Sequence, residues 1–472
     1  MSPGNFSLDA RVSDGTNLPA AEAENSKCIE PVVGQVANAI AASDDLRAKA
    51  HRLIPGGCHT YAKGDDQYPS NAPAFIVRGA GCRVWDTTGR EFIEYGMGLR
   101  AVTLGHAYTP VVDAAVRQMR LGTNFNRPSP VEVECAEALL AVVPRADMVK
   151  FAKDGSTVVS AAVKLARAHT GRVKVAICAD HPFFSYNDWF MVTTGIPGGI
   201  PADVAKDTLS FHYNDLAGVE RLFEQHPGEI ACVVLEPART EEPIDGFLHK
   251  LRDLAHRYGA LLVLDETITG FRWSTGGGQD VYDIGPDLAV FGKALGNGIS
   301  VSALTGRREF MELGGLHDTR ERVFLLSTTH GAETHSLAAA IKVIEVYRTE
   351  DVIGTLYRQG ERLAQGVRQM TAALGLGDHF TIAGRPCALL YGTRDADGAA
   401  SQPFRTLFLQ ELVKRGVLAP SFVVSYSHTD ADIDQTIEAV AGALQVYRRA
   451  LDEGVERFLV GPSVKPVYRR FS

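Results

Sequence analysis

Five apolar runs of strand length do most to limit how this chain can fold: MVKFA (148–152), VKVAIC (173–178), ACVVLE (231–236), ALLVLDE (260–266) and LAVFGK (288–293). They are short and continuous rather than alternating, which is the pattern of strands covered on both faces. Helix-like segments lie between several of them; Phe247, Leu251, Leu254 and Tyr258 share one helical face. Strands alternating with helices predict an α/β fold built on a mostly parallel sheet. In such sheets functional groups gather just past the carboxyl ends of the strands. Asp265, Lys293 and the segment 154–156 all fall there.

The flanks have a different texture. Residues 1–44 are rich in Ala, Asn, Asp and Ser and read as an arm or a strap. A helix-like stretch from Asp45 stops at Ile54-Pro-Gly-Gly57, and two short strands follow over 74–86 and 91–96, joined by a Thr88-Gly89 turn. Residues 381–395 read as further strands. Ile433, Ile437, Val440, Leu444, Tyr447 and Leu451 mark an amphipathic helix behind a Thr429 cap. The expected division is an arm (1–44), the first part of a small domain (45–110), a large domain carrying the site (111–345) and the second part of the small domain (346–472).

Composition removes several function classes. At 45% hydrophobic and 22% charged, the 472 residues have globular rather than disordered or collagen-like usage. With 48 basic against 56 acidic residues, the net charge of −8 offers no general attraction to nucleic acid or an acidic membrane. No apolar run approaches the roughly 18 residues a membrane span needs, and the N-terminus lacks a signal-peptide pattern. The seven cysteines are scattered with no CxxC pair, which reads as reduced thiols in a cytoplasmic protein.

Three local features carry chemistry. Lys293, at the end of a strand in a glycine-rich turn, can form an imine once desolvation lowers its pKa; a solvated loop lysine is the plain alternative. A phosphate-binding P-loop fails here, because Ala follows Lys293. Asp265 ends another apolar strand, where an isolated carboxylate is costly unless it faces a cation or a donor. A pyridinium nitrogen is one such partner, since an acid and a lysine around that ring are what pyridoxal phosphate chemistry needs; a structural ion pair is another. Lys153-Asp-Gly-Ser-Thr157 joins a strand to a helix start, whose free N–H groups suit a phosphate, although an ordinary capped helix has the same look. Other motifs carry less. THGAETH (329–335) sets its histidines five apart with no further ligand cluster, so no metal site is expected. The chain has no G-x-S-x-G.

Taken in order, IPGG (54–57), LGHAY (104–108), KDGST (153–157), VVLEP (233–237), LDETITGFR (264–272), PDLAVFGKALGNG (286–298) and STTHG (327–331) resemble the class-III pyridoxal-phosphate aminotransferases, in the glutamate-1-semialdehyde aminomutase-like branch. The resemblance covers roughly residues 46–455. It implies a fold-type-I transferase with pyridoxal 5′-phosphate as cofactor: a large domain with a mostly parallel sheet, and a smaller α+β domain from both chain ends. It makes Lys293 the Schiff-base lysine and proton carrier, and Asp265 the partner of the pyridine nitrogen. Gly155 and Ser156 would bind the phosphate, Phe183 would stack on the ring, and Glu236 would sit near the substrate end. Thr328 would reach the phosphate of a neighbouring subunit's cofactor, implying a homodimer with shared active sites.

The chain also departs from the pattern. Lys153-Asp-Gly-Ser-Thr157 stands where the family often has Asn-Ser-Gly-Thr-Glu, and Phe183-Phe-Ser185 where it has Tyr-His-Gly. Thr267 and Ile268 follow Asp265-Glu266 where many members have Val and Gln. Lys63 and Leu99 stand about where the aminomutases carry Arg and Trp, which argues against the semialdehyde as substrate. HTYAKGDDQYP (59–69), GMGLRAVTLGH (96–106) and the tail VKPVYRRF (464–471) look like transaminases acting on sugars and sugar acids, such as 8-amino-octulosonate transaminase. By that analogy Arg100, His59, Tyr61 and Lys63 are candidate substrate contacts. The expectation is a transaminase passing an amino group from an amino-acid donor, glutamate by preference, to a polar, sugar-like ketone or aldehyde. An aminomutase needs the same residues, and a non-catalytic scaffold would have no reason to keep both Lys293 and Asp265.

Overall fold

The computed structural model describes residues 43–470 apart from 144 and 332, so the arm expected over 1–44 lies almost entirely outside the described residues. Helix α1 (Ser43–Leu53) ends where Pro55 and two glycines at φ +72 break it. The single strand expected over 74–86 is instead a hairpin of β1 (Ile76–Ala80) and β2 (Arg83–Asp86), paired antiparallel. Gly81 makes the turn at φ +56, a conformation open to glycine and costly for other residues. Strand β3 (Glu91–Glu94) then pairs antiparallel with β2.

The five apolar runs all become strands of one seven-stranded sheet. In chain order its members are β4 (Met148–Ala152), β5 (Lys174–Cys178), β6 (Thr208–Phe211), β7 (Ile230–Leu235), β8 (Leu261–Asp265), β9 (Leu288–Phe291) and β10 (Ser302–Gly306). Across the sheet they lie in the order β4-β10-β9-β8-β7-β5-β6. Every pairing from β9 to β6 is parallel, while β10 runs antiparallel to both β9 and β4. Two reversals leave β4 pointing the same way as β9. The carboxyl ends of β4, β7, β8 and β9 therefore share one edge with the start of β10. Strands β7 to β10 are buried along their whole length, which explains their unbroken apolar runs. Helix α2 (Gly155–Thr170) leaves β4 and packs on this sheet, and α3 (Phe247–Arg257) presents Phe247, Leu251 and Leu254 to the core as their spacing predicts.

After the long helices α4 (Thr334–Thr349) and α5 (Val352–Ala373) come the antiparallel pair β11 (Phe380–Ala383) and β12 (Leu390–Thr393). Next is β13 (Val417–Leu418), parallel to β3, so both parts of the chain build one four-stranded sheet of a smaller unit. The final helix, α6 (Asp430–Glu453), starts at Thr429 in a capping box with Asp432. One apolar core runs from the large sheet into the smaller unit.

Gly360 shows how closely α5 packs against the segment before β12. A Cβ there would lie 1.8 Å from the Pro386 carbonyl oxygen, which is backbone and cannot step aside. Gly360→Ala should lower unfolding stability by about 3 kcal/mol, the upper end of ordinary overpacking. The check is a denaturant midpoint, and an unchanged midpoint would show that α5 shifts freely.

Candidate active site

The shared carboxyl edge opens into a cavity of about 320 Å³ whose lining includes Gly155, Ser156, Phe183, Glu236, Asp265, Thr267 and Lys293. They arrive from the ends of β4, β5, β7, β8 and β9 or the loops after them.

Lys293 follows β9 after Gly292 and is held at φ +45, an uncommon conformation for a residue with a side chain. Two features fix that turn. A Cβ on Gly292 would meet Ser302 Oγ at 2.7 Å, so only glycine lets the chain pass β10. Asn297, also left-handed at φ +45, accepts a hydrogen bond from the Leu104 N–H at 2.9 Å and donates to the Gly105 carbonyl at 3.1 Å. Burial lowers the Lys293 ammonium below its ordinary pKa, opposed by the carboxylates of Asp265 and Glu236.

Asp265, the last residue of β8, is buried, and its Oδ1 accepts from the Thr267 N–H at 2.9 Å. Burial raises its pKa, against the pull of Thr267 and of Lys293. Glu236, just past β7, is also buried and is pushed up to about 7, by burial first and then by Asp265; Arg239, Lys293 and Arg100 act the other way. Its backbone N–H donates to His181 Nδ1 at 2.9 Å. Burial, with Arg239 nearby, holds that imidazole down to about 4, so it is neutral at pH 7.

At the other end of the cavity, Asp154 caps α2, accepting from the Thr157 N–H and hydroxyl at 2.9 Å each. The Gly155 and Ser156 N–H groups belong to the first turn, which has no intrahelical acceptors. A Cβ on Gly155 would lie 3.2 Å from Thr267, so the glycine keeps this helix end close to β8. Ser156 Oγ accepts from the Tyr186 N–H at 3.2 Å, tying the helix start to the loop that carries Phe183. The Phe183 ring meets Phe190 edge-on and remains 43% exposed, whereas Phe184 is buried.

The residues suit pyridoxal 5′-phosphate. An acid, an amine of lowered basicity and a helix start with free N–H groups face one space, and Thr267 Oγ1 in its wall is buried with no hydrogen-bond partner among the described residues. Such an orphaned hydroxyl calls for a ligand atom.

The remaining expected residues lie elsewhere. Thr328 is exposed and outside the cavity. His59 and Tyr61 are exposed and do not line it, and Lys63 lines a second cavity of about 770 Å³. Arg100 sits beside this site: its neighbour Ala101 lines the smaller cavity, and its charge is felt by Glu236 and Lys293. Its carbonyl accepts from Arg272, a fully buried guanidinium that also donates to the Cys387 and Val424 carbonyls and to Thr103 Oγ1. Sequence reasoning missed Arg239 and His181. The available signal for Arg239 was its place three residues past Glu236 in the loop after an apolar strand.

Comparison with known proteins agrees with this geometry. The aminotransferase class-III family model matches residues 65–444. Glutamate-1-semialdehyde 2,1-aminomutase of Desulfitobacterium hafniense is 32% identical over 426 residues, covering 85% of this chain and 98% of that protein. The 3-aminobutyryl-CoA aminotransferase of Cloacimonas acidaminovorans is 28% identical, covering 87% and 99%. Among solved structures, the FumI protein of Sphingopyxis sp. MTA144 in its PLP internal aldimine form superposes with a TM-score of 0.78 at 29% identity, covering 86% and 97%.

Proposed function

Since the chain belongs to the class-III aminotransferase family, whose cofactor is pyridoxal phosphate, we propose that it is a transaminase that takes an amino group from glutamate and delivers it to a polar, sugar-like ketone or aldehyde. The observation that carries the reading is the convergence of Lys293, Asp265 and the Gly155 helix start on one cavity. Bound there, the cofactor supplies an electron-accepting ring and the carbon that carries nitrogen between two substrates. The chain's own part is to hold, orient and move protons. Gly155 and Ser156 offer N–H groups and a helix dipole to the phosphate. Phe183 covers one face of the ring. Asp265 keeps a proton at the ring nitrogen, where a buried carboxylate and a cation compensate each other. Lys293 Nζ takes a proton from the substrate carbon and returns it, a role that needs an amine uncharged part of the time.

Two finer assignments belong to the same proposal. The enzyme works as a cytoplasmic homodimer in which Thr328 reaches the partner's cofactor phosphate. Its exposed position outside the cavity, and exposed Val112, Val116 and Met119 along the helix Thr109–Met119, support that arrangement. A requirement for an external donor would separate this enzyme from an aminomutase, and absorption tests it: excess glutamate should bleach the yellow band of the purified holoenzyme. A band unmoved by glutamate, with activity retained on a single amino-carbonyl substrate, would overturn the transaminase reading.

Glu236 gives a pH signature. Its carboxyl is neutral below about 7 and can donate a hydrogen bond to substrate; above that pH it is ionised and cannot. The value of kcat/KM should therefore fall as pH rises through about 7. Glu236→Gln, which keeps a donor at all pH values, should flatten that limb. A limb unchanged in the variant would remove Glu236 from the profile.

A further inference from the structure

The stretch from Glu94 to His106 contains a buried carboxylate and a run of unusual backbone that the chemistry at Lys293 does not use. Met97, Gly98, Leu99 and Arg100 have φ values of 44, 59, 59 and 70°, four left-handed residues in succession, three of them with side chains. Such backbone is costly and persists only where its surroundings impose it.

Three side chains impose it here. Glu94, the last residue of β3, is buried, and both its oxygens accept from the Met97 N–H, at 2.8 and 2.7 Å. Its Oε2 also lies 3.1 Å from His106 Nε2. Arg272 holds the Arg100 carbonyl at 3.1 Å and Thr103 Oγ1 at 2.7 Å, and Asn297 accepts from the Leu104 N–H at 2.9 Å. The last two holds come from loops of the large sheet, whereas Glu94 reaches the start of the turn from the smaller unit.

Glycines leave room for the acid and its partner. A Cβ on Gly96 would lie 2.5 Å from Glu94 Oε1, and one on Gly79 would lie 2.8 Å from Cγ of the His106 ring. Paired backbone bonds with Gly81, at 2.7 and 2.9 Å, fix His106 in turn.

The place of the turn gives this arrangement its use. Glu94, Gly96, Gly98, Leu99 and His106 line the cavity of about 770 Å³, whereas Ala101 lines the cavity of about 320 Å³ that contains Lys293. Among the described residues, the two cavities share none of their lining. The turn over 97–101 is therefore a partition a single chain thick. Its far end rests on the active-site wall, since a Cβ on Gly298 would lie 3.2 Å from Val102. A carboxylate taken out of water is unfavourable unless donors compensate it, and the donor here is the first N–H of the partition.

We infer that Glu94, steadied by His106, is a positioning residue that limits the size of substrate the site accepts, by holding the partition against an adjoining cavity of more than twice the volume. This rests on the reading of the smaller cavity as a transaminase site. When Glu94 is cut back, the Met97 N–H is released, the turn relaxes toward ordinary backbone, and the two spaces join.

The test uses purified holoenzyme and the variants Glu94→Ala and Glu94→Gln. In Glu94→Ala, amides over residues 97–104 should exchange hydrogen about tenfold faster, with β7 to β9 as protected as in wild type. Glu94→Gln, whose amide oxygen still accepts from Met97, should restore most of that protection. Size selection is read from the rates at which O-methylhydroxylamine and O-benzylhydroxylamine bleach the cofactor band. Wild type should favour the small probe by at least about tenfold, with the preference lost in Glu94→Ala and kept in Glu94→Gln. No preference in wild type, or one unchanged in Glu94→Ala, would overturn the inference. If Glu94→Ala does not fold, His106→Ala, which loosens the carboxylate without removing it, should show both changes at smaller size, and their absence would overturn it equally. A wild-type protein that takes up no cofactor would instead overturn the transaminase reading, and exchange over residues 97–104 would still decide whether Glu94 holds the partition.

Discussion

Lys293→Ala should end turnover, with a fall of at least about 10⁴-fold, while the folded protein still takes up cofactor through Gly155, Ser156 and Asp265. The size of the effect follows from what else lines the cavity. Its other titratable residues are Lys153, Asp154, Glu236 and Asp265. Lys153 is paired with Glu333 at 2.7 Å, and Asp154 caps Thr157. Glu236 and Asp265 are carboxyls raised by burial, and neither is an amine that can join a carbonyl. Lys293 alone combines a nucleophilic nitrogen with a lowered pKa. Rapid-quench measurement of a single turnover checks the fall, and added methylamine should restore part of the rate by standing in for the missing amine. Activity within tenfold of wild type would refute the assignment.

Asp265→Asn comes second, with an expected loss of about 10²- to 10³-fold in the glutamate half-reaction. The amide matches the carboxyl in shape, and its oxygen can still accept the Thr267 N–H, so the local fold should survive. What disappears is the negative charge that keeps a proton on the ring nitrogen. Stopped-flow absorption with glutamate measures the rate directly. An Asn variant at wild-type speed would show that the ring needs no charged partner here.

The parts of this protein that sequence disclosed are those whose meaning is local. Lys293 and Asp265 stand at the ends of unbroken apolar runs, and a two-sided sheet places such ends on one edge whatever the rest of the chain does. Gly155 and Ser156 were legible for the same reason, as a strand passing straight into a capped helix. The hairpin over 74–86 was read as one strand because its turn rests on a single glycine, Gly81, inside an otherwise strand-like run. His59 and Tyr61 were singled out by analogy, yet they are exposed outside the cavity, since a loop's place depends on packing that no short window contains. Arg239 escaped notice because an arginine in a loop is ordinary until Arg100, from a distant segment, is found beside it.

Arg272 ties together three stretches of the chain that lie far apart in sequence. From β8's following loop it grips carbonyls of residues 387 and 424, in the smaller unit, and of residue 100, at the wall of the site. In mechanical terms it is a rivet through three plates. A swing of the smaller unit would have to carry the wall with it or break several charge-assisted bonds in a place without water to replace them. The mouth of this site is therefore stiff on the side where Arg100 stands. An incoming molecule meets a rim whose shape was fixed when the chain folded, and it is accepted by matching that rim rather than by reshaping it.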